Sequence, residues 1–273
     1  MTIQQRLKSS QTHFCLGLDP SPELLPRGYG QHSDPVLAWN RELVEATVDL
    51  VAAYKPNLAF YEALGLDGLH TLAGTVSAIA GRVPVIADAK RADIGNTSRQ
   101  YARLIFGTLD CDAVTLAPYM GEDSLQPFLE VPRPSGLPVF AYVLALTSNP
   151  GALRFQSLEC EGRPLYHHVL EAVDGWNHGW AAGRLGVVAG ATREEQLLEI
   201  RRLWPRLDLL VPGVGAQGGD AAAVCRILNE GTGSALVNVS RAVLYGEDGD
   251  ASPQAVRQRA QVWSNLLARK SAE

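Results

Sequence analysis

The densest chemistry in the chain lies in Asp88-Ala-Lys90-Arg-Ala-Asp93, directly after the apolar run Val83-Pro-Val-Ile-Ala87. If that run is a strand, Asp88 and Lys90, two apart, project to the same side, and Asp93 comes round at the start of the next helix. The product is an alternating carboxylate, ammonium, carboxylate array. Neighbouring negative charge favours the ammonium form of Lys90 against the loss of charge that burial would bring. An ammonium held in this way opposes negative charge on whatever lies over it. The same spacing also suits an ion-pair cluster that only fixes a helix N-terminus.

A second signal is Val211-Pro-Gly213-Val-Gly215-Ala-Gln217-Gly-Gly219-Asp220, which contains G-x-G-x-x-G. It opens a late unit of the chain, and Asn238 rather than an acid stands at the end of the following strand, so a dinucleotide fingerprint is disfavoured. Phosphate remains: glycines let backbone N–H groups approach an anion at the next helix N-terminus, and Arg241 supplies a bidentate charge nearby. A tight turn without ligand is the plain alternative. His167-His168 has no partner at metal-ligand spacing, and G-x-S-x-G, P-loop and H-E-x-x-H patterns are all missing from the sequence.

Positioning these residues requires a scaffold. Short β-branched runs recur at Phe14–Asp19, Val51–Asn57, Val83–Ala89, Ala113–Ala117, Leu137–Ala145, Leu185–Ala191, Leu209–Val214 and Leu236–Ser240. Helical spacing fills 34–50, 62–80, 95–106, 122–130, 161–181, 193–204, 219–230 and 252–269. Thr192 and Glu195 form a capping-box pattern for the helix near 193. Strands apolar on both faces and separated by helices demand a parallel sheet, and eight units in 273 residues fit an α/β fold of the closed (β/α)8 barrel type, a single domain over 1–273. Two longer connections, 20–33 and 147–160, follow strands one and five on the face where barrels build their sites. Asp19, Lys55, Asn57, Asp88, Lys90, Asp93, Gln217 and Arg241 all leave strand ends on that face.

Composition narrows the class of partner. The apolar fraction is 46% and the net charge −5, with no long run of like charge, so nucleic acid and anionic membranes are not expected. No stretch is long and apolar enough to span a bilayer or direct export, and four scattered cysteines without a C-x-x-C pair point to a reducing, cytoplasmic setting.

Taken together, Asp88-Ala-Lys90-Arg-Ala-Asp93-Ile-Gly-Asn-Thr97, Leu18-Asp19, Tyr54-Lys55-Pro-Asn57, Pro212-Gly-Val-Gly-Ala-Gln217 and Ser240-Arg241 resemble the orotidine 5'-phosphate decarboxylase family, most closely its longer bacterial subgroup. The resemblance runs from strand one through strand eight in order. It implies that Lys55, Asp88, Lys90 and Asp93 form a charged tetrad, with Lys90 the proton donor. It implies a homodimer with shared sites, in which Asp93, Ile94 and Thr97 reach the neighbouring subunit. Asp19 would bind ribose hydroxyls, with Asn57 also lining the substrate site. Pro212, Gly215, Gln217, Ser240 and Arg241 would surround the phosphate. One of Thr147, Ser148 and Asn149 would meet the pyrimidine. Many members have glycine where this chain has Ser240. No metal or cofactor is expected. The rival readings are a Mg²⁺-dependent sugar-phosphate aldolase or synthase of the same superfamily, a Schiff-base aldolase and a non-catalytic phosphate sensor.

Overall fold

The structure, a computed structural model, describes residues 3–79, 81–215 and 219–269. Helix α1 (Ile3–Ser9) precedes strand β1 (Phe14–Leu18). The chain continues through α2 (Pro35–Thr47), β2 (Ala53–Pro56), α3 (Leu58–Glu62), α4 (Leu66–Ile79), β3 (Ile86–Arg91), α5 (Gly95–Ala102), β4 (Ala113–Leu116), α6 (Glu122–Glu130) and β5 (Phe140–Leu146). It then passes through α7 (Leu153–Gln156), α8 (Leu165–His178), β6 (Leu185–Ala189), α9 (Glu194–Leu203), β7 (Leu209–Pro212), α10 (Ala221–Leu228), β8 (Ala235–Val239), α11 (Arg241–Leu244) and α12 (Pro253–Leu266).

The eight strands are parallel and ordered β2, β1, β8, β7, β6, β5, β4, β3, and bridges from Tyr54 to Val85 and Asn57 to Asp88 join the two ends. The sheet is therefore a (β/α)8 barrel. Its interior holds Cys15, Ala53, Ile86, Ala113, Phe140, Tyr142, Val188, Leu210 and Leu236, a contribution from every strand. Ile3 and Leu7 of α1 pack into the same cluster and close the lower end. Large side chains of a second cluster, such as Trp39, Phe106, Phe128, Leu170 and Leu197, fill the layer between the sheet and the outer helices. Alternation along each strand feeds one cluster on one face and the other on the opposite face.

Several boundaries differ from the sequence expectation. Strand β5 begins at Phe140, beyond Pro138, which offers no ladder N–H. Strand β3 runs on to Arg91, past the expected end at Ala89. The expected helix at 62–80 begins only at Leu66 as α4, with a separate short helix α3 ahead of it, and the one at 95–106 leaves α5 through a π-helical turn over Arg103–Thr108. The helix expected from 161 begins at Leu165, because Glu159–Cys160 and Arg163–Pro164 pair as a hairpin whose turn residues Glu161 and Gly162 take positive φ. The capping box does not form. Arg193 occupies the N-cap of α9 without a side-chain cap, and the Thr192 hydroxyl donates instead to the Ser148 carbonyl at 3.3 Å.

The seam between β1 and β8 depends on a size exchange. A Cβ added to Gly17 would lie 2.7 Å from the Ser240 Cβ and 3.0 Å from its hydroxyl oxygen. Ser240 thus spends its side chain against β1, filling the space the glycine leaves. Gly17→Ala should destabilise the protein by about 1–3 kcal/mol through overpacking, and adding Ser240→Gly should recover most of that loss in chemical denaturation.

Candidate active site

Residues at alternate positions carry polar groups upward from the apolar interior to the C-terminal rim. On β1 and β2 the rows are Cys15, Gly17, Asp19 and Ala53, Lys55, Asn57; on β3 and β4 they are Ile86, Asp88, Lys90 and Ala113, Thr115. Asp19, Asn57, Asp88, Lys90 and Thr115 line a cavity of about 490 Å³ together with Lys55, Leu144, Thr147, Ser148, Asn149, Gln156, Val188, Leu210, Pro212 and Asn238.

At its floor one carboxylate joins two ammonium groups. Asp88 Oδ2 accepts from Lys55 Nζ at 2.6 Å, and Oδ1 accepts from Lys90 Nζ at 2.6 Å. The Thr115 hydroxyl donates to Oδ1 at 2.9 Å. Burial alone would push Asp88 up, but the charges of Lys55 and Lys90, each also donating a hydrogen bond, hold it well below the usual carboxylate range. Burial alone would pull Lys55 down, and Asp88 with Asp19 more than reverses this, leaving it above its ordinary value. Lys55 is only 3% exposed, whereas half of the Lys90 side chain faces solvent in the mouth of the cavity. Cys15, one layer below, is pushed up to about 12 by burial and is no nucleophile.

Other expected residues fall around this centre in different ways. Asp93 makes no ion pair among the described residues; its Oδ1 accepts from the Ile94 amide at 2.8 Å, and Ile94 is 63% exposed at the N-cap of α5, with Thr97 inside that helix. The three-member array inferred from spacing is thus a pair within the chain, Asp88 with Lys90, with Lys55 as the third charge. Asn57 caps α3, its Oδ1 accepting from Ala59 N at 3.2 Å. In the loop after β5, Thr147 donates to Asn149 Oδ1 at 2.6 Å, and Gln156 accepts from the Thr147 amide at 2.8 Å. Asp19 and Asn238 each bury an Oδ1 with no hydrogen-bond partner.

Among the described residues, those expected around a phosphate do not line this cavity, apart from Pro212. Gly215, at φ +78°, and Arg241, exposed at the start of α11, line a separate depression of about 650 Å³ with Trp263. Gln217 lies outside the described residues. The N-terminus of α10 does not offer the free amides expected of it, because the Asp220 carboxylate already accepts from Ala222 N at 2.8 Å and Ala223 N at 3.3 Å. The Gly215 and Gly219 amides are also engaged, donating to the Gly219 carbonyl at 3.4 Å and the Gly213 carbonyl at 3.2 Å, so among the described residues an anion here is left to Arg241. Tyr245 links the two regions: its hydroxyl accepts from Ser21 N at 2.7 Å and donates to the Asp19 carbonyl at 3.3 Å, and its amide bonds the Arg241 carbonyl at 3.0 Å.

Sequence reasoning missed Thr115, Gln156 and Asn238. Thr115 and Asn238 could have been found by following each strand in steps of two from its apolar interior residue to the first polar one. Gln156 carries no such signal, since a short loop helix brings it back.

The fold and this rim define a barrel with a buried carboxylate–ammonium centre and an arginine beside a glycine loop, the form of a site for small phosphorylated ligands. Residues 12–256 match the family described as Orotidine 5'-phosphate decarboxylase / HUMPS family, and the chain belongs to it. An orotidine 5'-phosphate decarboxylase of Christiangramia forsetii is 40% identical over 269 residues, 97% of this chain and 96% of the relative. One from Herpetosiphon aurantiacus is 43% identical over 257 residues, covering 93% and 92%. The solved OMP decarboxylase of Leishmania donovani superposes with a TM-score of 0.78 at 32% identity, covering 97% of this chain and 100% of that one.

The paired shifts set a stability window. Asp88, depressed in the fold, stabilises above the unfolded carboxylate value of 3.8, and the contribution is lost as pH falls through its folded value. Lys55, raised in the fold, stabilises below the unfolded value of 10.5, and its contribution is lost as pH rises through the folded value. Asp88→Asn should cost about 3–5 kcal/mol at pH 7 by leaving Lys55 buried beside a neutral group, and should flatten the acid side of a stability-versus-pH curve measured by denaturation.

Proposed function

We propose that this protein is an orotidine 5'-phosphate decarboxylase, a carboxy-lyase that converts orotidine 5'-phosphate to uridine 5'-phosphate and CO₂ in pyrimidine synthesis. The observation that carries the reading is the Lys55–Asp88–Lys90 centre at the mouth of β2 and β3, in a chain whose relatives at about 40% identity are named for that activity.

Loss of CO₂ from C6 leaves an electron pair on the pyrimidine ring with no cofactor sink, so the protein must supply the stabilisation electrostatically. Lys90 Nζ opposes that charge and then gives its proton to C6. Asp88 keeps the ammonium aimed and lies against the departing carboxylate. Repulsion of the ground state is a minor contribution beside the preorganised charge. Asp19 receives ribose hydroxyls through its unpartnered Oδ1, with Asn57 beside it. Pro212, Gly215, Gln217 and Arg241 hold the phosphate, and binding energy from that remote group orders the site. Ser240 stays packed on Gly17 and meets the phosphate only through its backbone. Among Thr147, Ser148 and Asn149, we assign the pyrimidine contact to Ser148. The hydroxyl of Thr147 and the carbonyl of Asn149 bond each other, while Ser148 lines the cavity with its hydroxyl uncommitted.

The site is shared in a homodimer in this proposal. Asp93, Ile94 and Thr97 do not line their own chain's cavity, and Ile94, Tyr119 and Met120 are exposed at 63%, 95% and 45%, apolar surface suited to a second copy. A cytoplasmic enzyme, one barrel domain with inserts at 20–33 and 147–160, and no nucleic-acid or membrane partner complete the reading. Among the described residues no helix is long and apolar enough to cross a membrane.

An ultraviolet assay of orotidine 5'-phosphate should show turnover that persists in excess chelator; loss of activity on chelation would favour the Mg²⁺-dependent aldolase reading. Lys90→Ala should abolish CO₂ release while phosphate-dependent binding of the product nucleotide survives. Arg241→Ala should lower kcat/KM by several kcal/mol of transition-state stabilisation, with partial rescue by guanidinium; equal turnover of phosphate-free orotidine by the wild type would overturn the phosphate role.

A further inference from the structure

Strand β3 does not pair evenly with β4. Ala87 stands opposite Val114 and Arg91 opposite Leu116, so Asp88, Ala89 and Lys90 face the single residue Thr115. At the end of this bulge Lys90 adopts φ +47°, a left-handed conformation that costs a residue with a side chain on the order of 1 kcal/mol. Two backbone amides are left without the carbonyls a regular ladder would provide. The Thr115 hydroxyl takes both, accepting from Ala89 N at 3.0 Å and Lys90 N at 3.0 Å, and donates to Asp88 Oδ1 at 2.9 Å. A hydroxyl has one hydrogen and two lone pairs, so all three valences are used. With both lone pairs occupied, its proton must go to Asp88, which fixes the direction of the bond. Thr115 is 1% exposed, where water offers no replacement.

We propose that Thr115 is a positioning residue that sets the backbone conformation of Lys90 and the orientation of Asp88 together, so that the ammonium is aimed before substrate arrives. The claim rests on the decarboxylase reading for its kinetic consequence, but its structural half does not. Valine matches threonine in shape and suits a strand, so Thr115→Val removes the hydroxyl with little change in packing. The variant should lower kcat ten- to a hundredfold while KM stays within about threefold, since the phosphate grip is distant. Thr115→Ser keeps the hydroxyl and should recover kcat to within about threefold.

Amide hydrogen exchange measured by NMR gives a readout independent of turnover. Ala89 and Lys90 amides should exchange at least tenfold faster in Thr115→Val and stay slow in Thr115→Ser. Unchanged kcat in folded Thr115→Val, or unchanged exchange at both amides, overturns the proposal. If Thr115→Val does not fold, Thr115→Ala is read against Thr115→Ser by the same two measurements. A wild-type protein that leaves orotidine 5'-phosphate intact overturns the decarboxylase reading instead, and the exchange comparison then decides the positioning claim alone.

Discussion

The Asp88 carboxylate between two ammonium groups is the interaction on which the rest of the rim depends. In water such contacts are worth little, because solvent screens them and long side chains lose freedom to hold them. Here Lys55 is buried in the cavity floor, so its charge is tolerated only because Asp88 and Asp19 compensate it. The centre is therefore costly to assemble and unforgiving of change. It also fixes the Lys90 ammonium before any ligand arrives.

The barrel makes this arrangement possible by separating stability from chemistry along one axis. Ile3 and Leu7 cap the lower end, Phe140, Tyr142 and Leu236 fill the middle, and charges begin only where the strands end. Strands closed into a ring have no edge to protect, and their outer faces are buried under helices, so the upper ends can carry unfavourable conformations such as the positive φ at Lys90.

Much of this was legible in the chain. Apolar runs with even spacing announce the strands, and period-two alternation puts Asp19, Lys55 and Asp88 on the inward face at the upper ends of their strands. What the pattern could not show follows from contacts between distant segments. The Thr192-Glu195 pattern fits a capping box, but the hydroxyl finds the Ser148 carbonyl of another connection. The glycine run before α10 fits an anion site at a helix N-terminus, but Asp220 takes those amides. Asp93 reads from spacing as a partner of Lys90, yet a three-residue bulge breaks the register before the helix begins, and the Asp93 carboxylate accepts from the Ile94 amide instead. Local propensity yields to tertiary geometry where the chain turns sharply, and the site is built of such turns.

The link through Tyr245 shows how two halves of the rim stay in register. Its hydroxyl serves both the Asp19 carbonyl and the Ser21 amide, the root of the 20–33 insert, while its backbone closes the short helix that begins at Arg241. Its ring stacks on Trp39 at 5.9 Å, whose indole nitrogen donates to the Ala251 carbonyl at 2.8 Å. Asp19, just after β1, and Arg241, just after β8, are thereby held to one aromatic post. The distance between them is set by packing rather than by the ligand. On the proposed reading, a nucleotide of the right length would meet both ends without deforming either, and one that lacks the phosphate would forfeit the contact at Arg241 without freeing Asp19 to follow it.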